Sequence, residues 1–151
     1  MNTDIFVEPI AALRRSTGLI SENLSYIQKE LPQLPAPEDL PDEIITACRD
    51  FEAAIWDVNS EIRNLEEKLG MCPGEPETPN PDPGVTIGLI DGWMRAEIVT
   101  FHQLVTKLRD LKSEDASVAG LKILVTESAA NILHAYKDIR GNLDLITAHL
   151  R

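Results

Sequence analysis

Apolar residues recur along this chain at alternating intervals of four and three. Phe6, Ile10, Leu13, Thr17, Ile20, Leu24, Ile27 and Leu31 keep the rhythm, with Thr17 as the polar member. Ile44, Cys48, Phe51, Ile55, Val58, Ile62, Leu65 and Leu69 keep it unbroken. Ile87, Ile90, Met94, Glu97, Phe101, Leu104, Leu108 and Leu111 keep it with one charged interruption, Glu97. Such spacing places a narrow apolar seam along one side of a long helix, as in coiled coils and four-helix bundles. Runs of Val and Thr alternating with period two are absent, so strands have no support.

Proline and glycine punctuate the pattern. Pro32, Pro35, Pro37 and Pro41 interrupt one stretch, and five prolines fall between Gly70 and Gly84. Neither stretch can continue a helix. At a third junction, Leu111 to Ser117, Ser113 is placed to cap a new helix, with Glu114 and Asp115 in its first turn. The pattern therefore predicts helices over about 4–31, 41–69, 85–112 and 114–150, in one domain spanning 1–151. Gly70 is a natural stop for the second helix. Pro9 leaves the first helix two starts: at Glu8 with Pro9 as its first residue, or near Thr3 with a kink.

The fourth helix follows the rhythm through Val118, Leu121, Val125, Ser128, Ile132, Ala135, Ile139, Asn142 and Ile146. It carries a second stripe of Ala129, Leu133, Tyr136, Leu143 and Leu150. Its length is roughly 55 Å against roughly 42 Å for the others, at 1.5 Å per residue. The excess predicts a C-terminal end that overhangs the bundle or meets another subunit. The long Pro-rich loop over 70–84 reads as a tether of extended or disordered chain between the second and third helices.

Composition narrows the function. The net charge of −11 argues against a phosphate backbone, which calls for clustered Lys and Arg, and against an anionic membrane surface. It leaves solubility, a basic protein partner or nucleic-acid mimicry. No run of 18 apolar residues is present to span a bilayer. Cys48 sits in a seam and Cys72 in a Pro-rich stretch, so a disulfide framework is not indicated and a reducing compartment fits. The N-terminus has no basic region of the kind a secretory signal opens with, which makes the cytoplasm the expected location.

Glu97 is the most pointed residue. With the seams laid side by side it shares a layer with Thr17 and Val58. Two readings are open. Either Thr17 and Glu97 form a polar core layer, with Arg14 as a nearby cation, that sets register and partner choice. Or the third helix is rotated, Ile98 takes the core position and Glu97 reaches solvent. Glu97 with His102 or His134 is the set available to a metal-binding or hydrolytic bundle. The Glu-x-x-His pairs of ferritin-like di-iron bundles are absent, however. Nucleophile motifs, phosphate-binding loops and cofactor fingerprints are absent too, so no catalytic residue, metal ligand or cofactor is assigned.

Arg95 and His102, with six residues between them, loosely resemble the Arg-x4–6-His motif of HEPN ribonucleases, which are all-α and of similar size. That resemblance implies Arg95 and His102 acting on RNA across a dimer cleft. The polar residue that commonly follows the Arg in that family is Ala96 here, and the charge opposes RNA.

Trp56 and Trp93 lie beside the second and third seams. With Leu133, Tyr136, Leu143 and Leu150 they form a candidate interface. The reading is an all-α, antiparallel up-down-up-down four-helix bundle. It is expected to self-associate and to act through a protein partner, with nucleic acid and membrane excluded.

Overall fold

The computed structural model describes residues 4–30, 40–71, 83–110 and 116–150. They form four helices, α1 (Asp4–Glu30), α2 (Leu40–Lys68), α3 (Pro83–Asp110) and α4 (Ala116–Leu150), with no strand among the described residues. Of the expected loop over 70–84, residues 72–82 lie outside the described residues, as do residues 31–39 and the Ser113 cap, while Pro83 and Gly84 already belong to α3.

The helix ends follow their local chemistry. Asp4 on α1 and Asp42 and Glu43 on α2 sit in first turns. Lys29, Lys68, Lys107 and Arg109 sit in last turns. Each charge opposes the partial charge of its helix terminus. α2 closes with Gly70 at φ 77°. The Gly70 amide donates to the Glu67 carbonyl at 3.1 Å and the Met71 amide to the Glu66 carbonyl at 2.9 Å. This pair of bonds is the Schellman arrangement, and its left-handed residue favours glycine. Pro9 lies inside α1. The helix therefore begins at the earlier of the two expected starts, and Pro9 has no N–H to give the Ile5 carbonyl.

The first two seams are buried as their spacing requires. On α1, Phe6, Ile10, Leu13, Thr17, Ile20, Leu24 and Ile27 are inside, and the seven seam residues of α2 are inside together with Leu69 just after it. α3 departs from the expected seam. Ile90, Met94, Phe101 and Leu108 are buried, but Ile98 and Val105 fill the positions expected for Glu97 and Leu104. On α4 both stripes turn inward. Val125, Ile132, Ile139 and Ile146 are buried together with Ala129, Tyr136 and Leu143.

The most extensive helix pairings are α1 with α4 and α2 with α3, followed by α1 with α2 and α3 with α4. The four helices thus surround one core in chain order. Individual contacts give the levels. Arg14 pairs with Glu66, Thr17 meets Asn59 and Ser25 meets Glu52. Lys68 meets Thr86, and the rings of Phe51 and Phe101 cross at 83° with centroids 6.2 Å apart. Phe6 packs edge-on against His149, and Asn23 meets Asn131.

These levels correct the expected overhang. His149 lies against Phe6, so the C-terminal end of α4 is level with the start of α1. The extra length falls at the other end: Asn131 is level with Asn23, so Ala116–Ile123 runs past Glu30.

Candidate functional site

Glu97 and Ile98 are neighbours in the chain and are separated by about 100° around α3. Ile98 points into the core at 6% exposure. Glu97 faces a groove between α2 and α3, where Asp50, Ala53, Ala54 and Asp57 form one wall and Gly92, Trp93, Ala96 and Glu97 the other. The second of the two sequence readings therefore describes α3. Thr17 is buried on α1, but its hydroxyl lies 3.1 Å from Asn59 Oδ1 and 3.0 Å from the Arg14 carbonyl. Its single proton has an acceptor on either side. Arg14, the cation expected beside Glu97, pairs with Glu66 instead. The structure does not bring Thr17 and Glu97 together.

The groove is open and holds about 390 Å³. Its walls are small because Ala53, Ala54, Gly92 and Ala96 project little or nothing. A Cβ added at Gly92 would meet no atom within 4 Å. Glycine inside a helix costs roughly 1 kcal/mol relative to alanine, and the packing of this chain does not require one at this position. Trp93 edges the groove at 37% exposure. Burial, and then repulsion from Asp50, push the Glu97 carboxyl above the ordinary carboxylate range. Towards the start of α2 the same inter-helix furrow opens again, about 430 Å³ lined by Asp42, Glu43, Thr46 and Leu104. None of these five acids takes part in an ion pair among the described residues.

The side chains proposed for chemistry are dispersed. Glu97 and His102 are five residues apart, about 140° around α3, and occupy opposite flanks. His134 is exposed on α4. Asp91, Arg95 and His102 share the flank of α3 that faces α4. There Arg95 donates to Asp91 Oδ2 at 2.8 Å, Tyr136 donates to Asp91 Oδ1 at 3.1 Å, and Arg140 lies 3.7 Å from Oδ1. The Tyr136 hydroxyl first, and then Asp91, push the Arg95 guanidinium up. Arg95 is therefore engaged in bracing Asp91, the residue that meets Tyr136 of α4. His102 is half-buried with no hydrogen-bond partner for Nε2 among the described residues, and burial lowers its pKa. No group of three or more His, Cys, Asp or Glu among the described residues could hold a metal ion. No helix among them is long and apolar enough to cross a membrane.

The candidate interface residues divide. Trp56 is 78% exposed and Trp93 stands at its groove. Tyr136 and Leu143 are buried, and Leu133 and Leu150 pack against the core. The second stripe of α4 is consumed internally because α4 lies between α1 and α3. The surface carries a different apolar set, which the 4-3 pattern did not single out. Leu19, Tyr26, Ile123 and Leu145 are exposed, and Tyr26 and Ile123 line one furrow between α1 and α4. Large apolar residues off the seam of a long helix were the available signal.

Compared with known proteins, the chain matches no family model, no curated protein and no solved structure at a significant level.

Proposed function

We propose that this chain is a non-catalytic, acidic helical interaction module: an adaptor, regulator or assembly component that binds protein partners and self-associates in a reducing cytoplasm. One observation carries the reading. Large apolar side chains stay in solvent on the outer helix faces, with Trp56 at 78%, Ile123 at 61% and Val85 at 59% exposure. Surfaces of this kind serve association. Cys48 is a buried free thiol, which suits a reducing compartment.

The architecture behind this reading is an up-down-up-down, antiparallel bundle. From Arg14 through Thr17 to Ser25 the partners on α2 descend from Glu66 through Asn59 to Glu52, which supports opposed directions for α1 and α2. Phe6 with His149 and Asn23 with Asn131 support the same for α1 and α4. In this reading the Pro-rich stretch expected over 70–84 serves as the tether between α2 and α3 up to Pro83, where α3 begins.

The test is affinity capture from native cells. The intact chain is compared with a variant carrying Trp56→Ser, Leu19→Ser and Ile123→Ser, whose helix content is checked by circular dichroism. The expected result is a stoichiometric partner held by the intact chain and lost from the folded variant. Capture of nothing by the intact chain overturns the reading, as does a captured set indifferent to the substitutions.

A further inference from the structure

Carboxylates held together without cations are repelled by one another, and that repulsion is a binding resource for a cation. Asp50 and Asp57 on α2 face Glu97 on α3 across a groove whose floor is small and apolar. Asp42 and Glu43 continue the acidic wall along the same furrow towards Leu104. From Asp42 to Asp57 the wall runs about 22 Å, four helical turns. The groove lies between two long helices, and its small residues let a third helix come close, ridge into groove. A Cβ at Gly92 meets nothing within 4 Å, so the close approach that a glycine permits there is unused within the chain itself.

Charge selects the occupant. A second copy docked through this groove about a two-fold axis would set carboxylate against carboxylate. The chain's own connecting segments fit no better: residues 72–82 carry Glu75, Glu77 and Asp82 and residues 31–39 carry Glu38 and Asp39, neither with a Lys or Arg, and residues 111–115 set the single Lys112 beside Glu114 and Asp115. An anionic membrane surface is repelled as well. We propose that the α2–α3 groove docks a cationic amphipathic helix of a partner protein, whose Lys and Arg side chains pair with Asp50, Asp57 and Glu97 while its apolar stripe seats against Gly92, Trp93 and Ala96. This is recognition of a helix in a groove, with charge setting specificity and association rate. A guanidinium or ammonium over the Trp93 ring adds a cation–π contact. The Glu97 carboxyl, lifted by burial and then by Asp50, supports the same picture, because a partner cation relieves the second of these two causes. The proposal rests on the interaction-module reading and names the partner for one of its faces.

The experiment uses the full chain with Trp56→Phe, so that Trp93 is the sole tryptophan. It is titrated with a synthetic helix-forming peptide of about 18 residues, five turns, carrying Lys and Arg on both sides of an Ala–Leu stripe. A peptide with Glu in place of the cations is the control. The expected result is a saturable one-to-one change in Trp93 emission with the cationic peptide only. Asp50→Asn, Asp57→Asn and Glu97→Gln together weaken it tenfold or more. Glu22→Gln, Asp138→Asn and Asp144→Asn together, on α1 and α4, change it less than twofold. An unchanged Trp93 signal overturns the proposal. So does equal weakening by the two sets, which would mean general attraction to an acidic surface. So does a peptide-free dimer that already covers Trp93. Capture of a native partner that survives the groove substitutions overturns the groove alone and leaves the module reading standing.

Discussion

Glu97 and Ile98 divide the surface of α3 between them: Ile98 closes the core and Glu97, one residue earlier, faces Asp50 and Asp57 across the α2–α3 groove. Ile98→Ala should cost about 2–4 kcal/mol, as buried large-to-small changes do, whereas Glu97→Ala should cost little or stabilise. Urea melts of the two variants measure this, and equal losses would contradict the assigned rotation of α3.

Glu97 also sets a pH dependence. Its folded pKa is raised, by burial and then by Asp50, so the folded chain binds its proton more tightly than the unfolded chain. The contribution to stability is full below the ordinary Glu value and is lost as pH rises through the folded value. Glu97→Gln should match wild type in acid and exceed it at neutral pH. Thermal melts at the two pH values read the difference, and parallel curves would mean that the folded Glu97 carboxyl is not raised.

His102 should act with the opposite sign. Burial lowers its folded pKa. Its neutral form is favoured on folding, and stability from it is present above the ordinary imidazole value and lost as pH falls through the folded one. The His102 ring resonances should titrate below those of a model histidine, and His102→Gln should lessen the loss of stability in mild acid. A ring that titrates as in a free peptide contradicts the burial.

Asp91 ties α3 to α4 through the Tyr136 hydroxyl at 3.1 Å and is held in place on its own helix by Arg95 at 2.8 Å. Asp91→Ala leaves the buried hydroxyl without its acceptor and should cost about 1–3 kcal/mol, more than Tyr136→Phe at about 0.5–1.5 kcal/mol. A double-mutant cycle should show coupling of about 1 kcal/mol. Strict additivity would mean that the two side chains do not interact.

Cys48 is buried, and desolvation, then Glu52, push its thiol up to about 12. The thiolate is the reactive form. In a Cys72→Ser background the native chain should therefore resist disulfide-exchange reagents until denaturant opens the core. Prompt labelling of the native chain would show that α2 opens locally.

The exposed set on α1 and α4 predicts self-association. Leu19→Ser with Ile123→Ser should shift the mass seen by light scattering towards monomer while the melting temperature holds. Truncation after Asn142 is a poorer test, because Leu143 and Ile146 are core residues and their loss unfolds the end of the bundle.

The 4-3 spacing on the first two helices determined by itself the seam that α1 and α2 bury, since a helix long enough to bury one stripe has a single continuous way to do so; Pro9, Ser16 and Ala47, off that seam, are inside only because neighbouring helices cover them. Helix ends were legible for the same local reason, as the Gly70 stop illustrates. The rotation of α3 was not. A straight helix drifts about 20° per heptad from a 3.5-residue repeat, so over its length Ile98 and Val105 overtake Glu97 and Leu104, and only the neighbouring helices decide where that happens. Packing between α1 and α3 likewise decided that both stripes of α4 are internal. The acidic groove was illegible for a stronger reason: Asp50, Asp57 and Glu97 become neighbours only when α2 and α3 pair at one particular level, and that level is set by contacts such as Phe51 with Phe101 rather than by spacing along either helix.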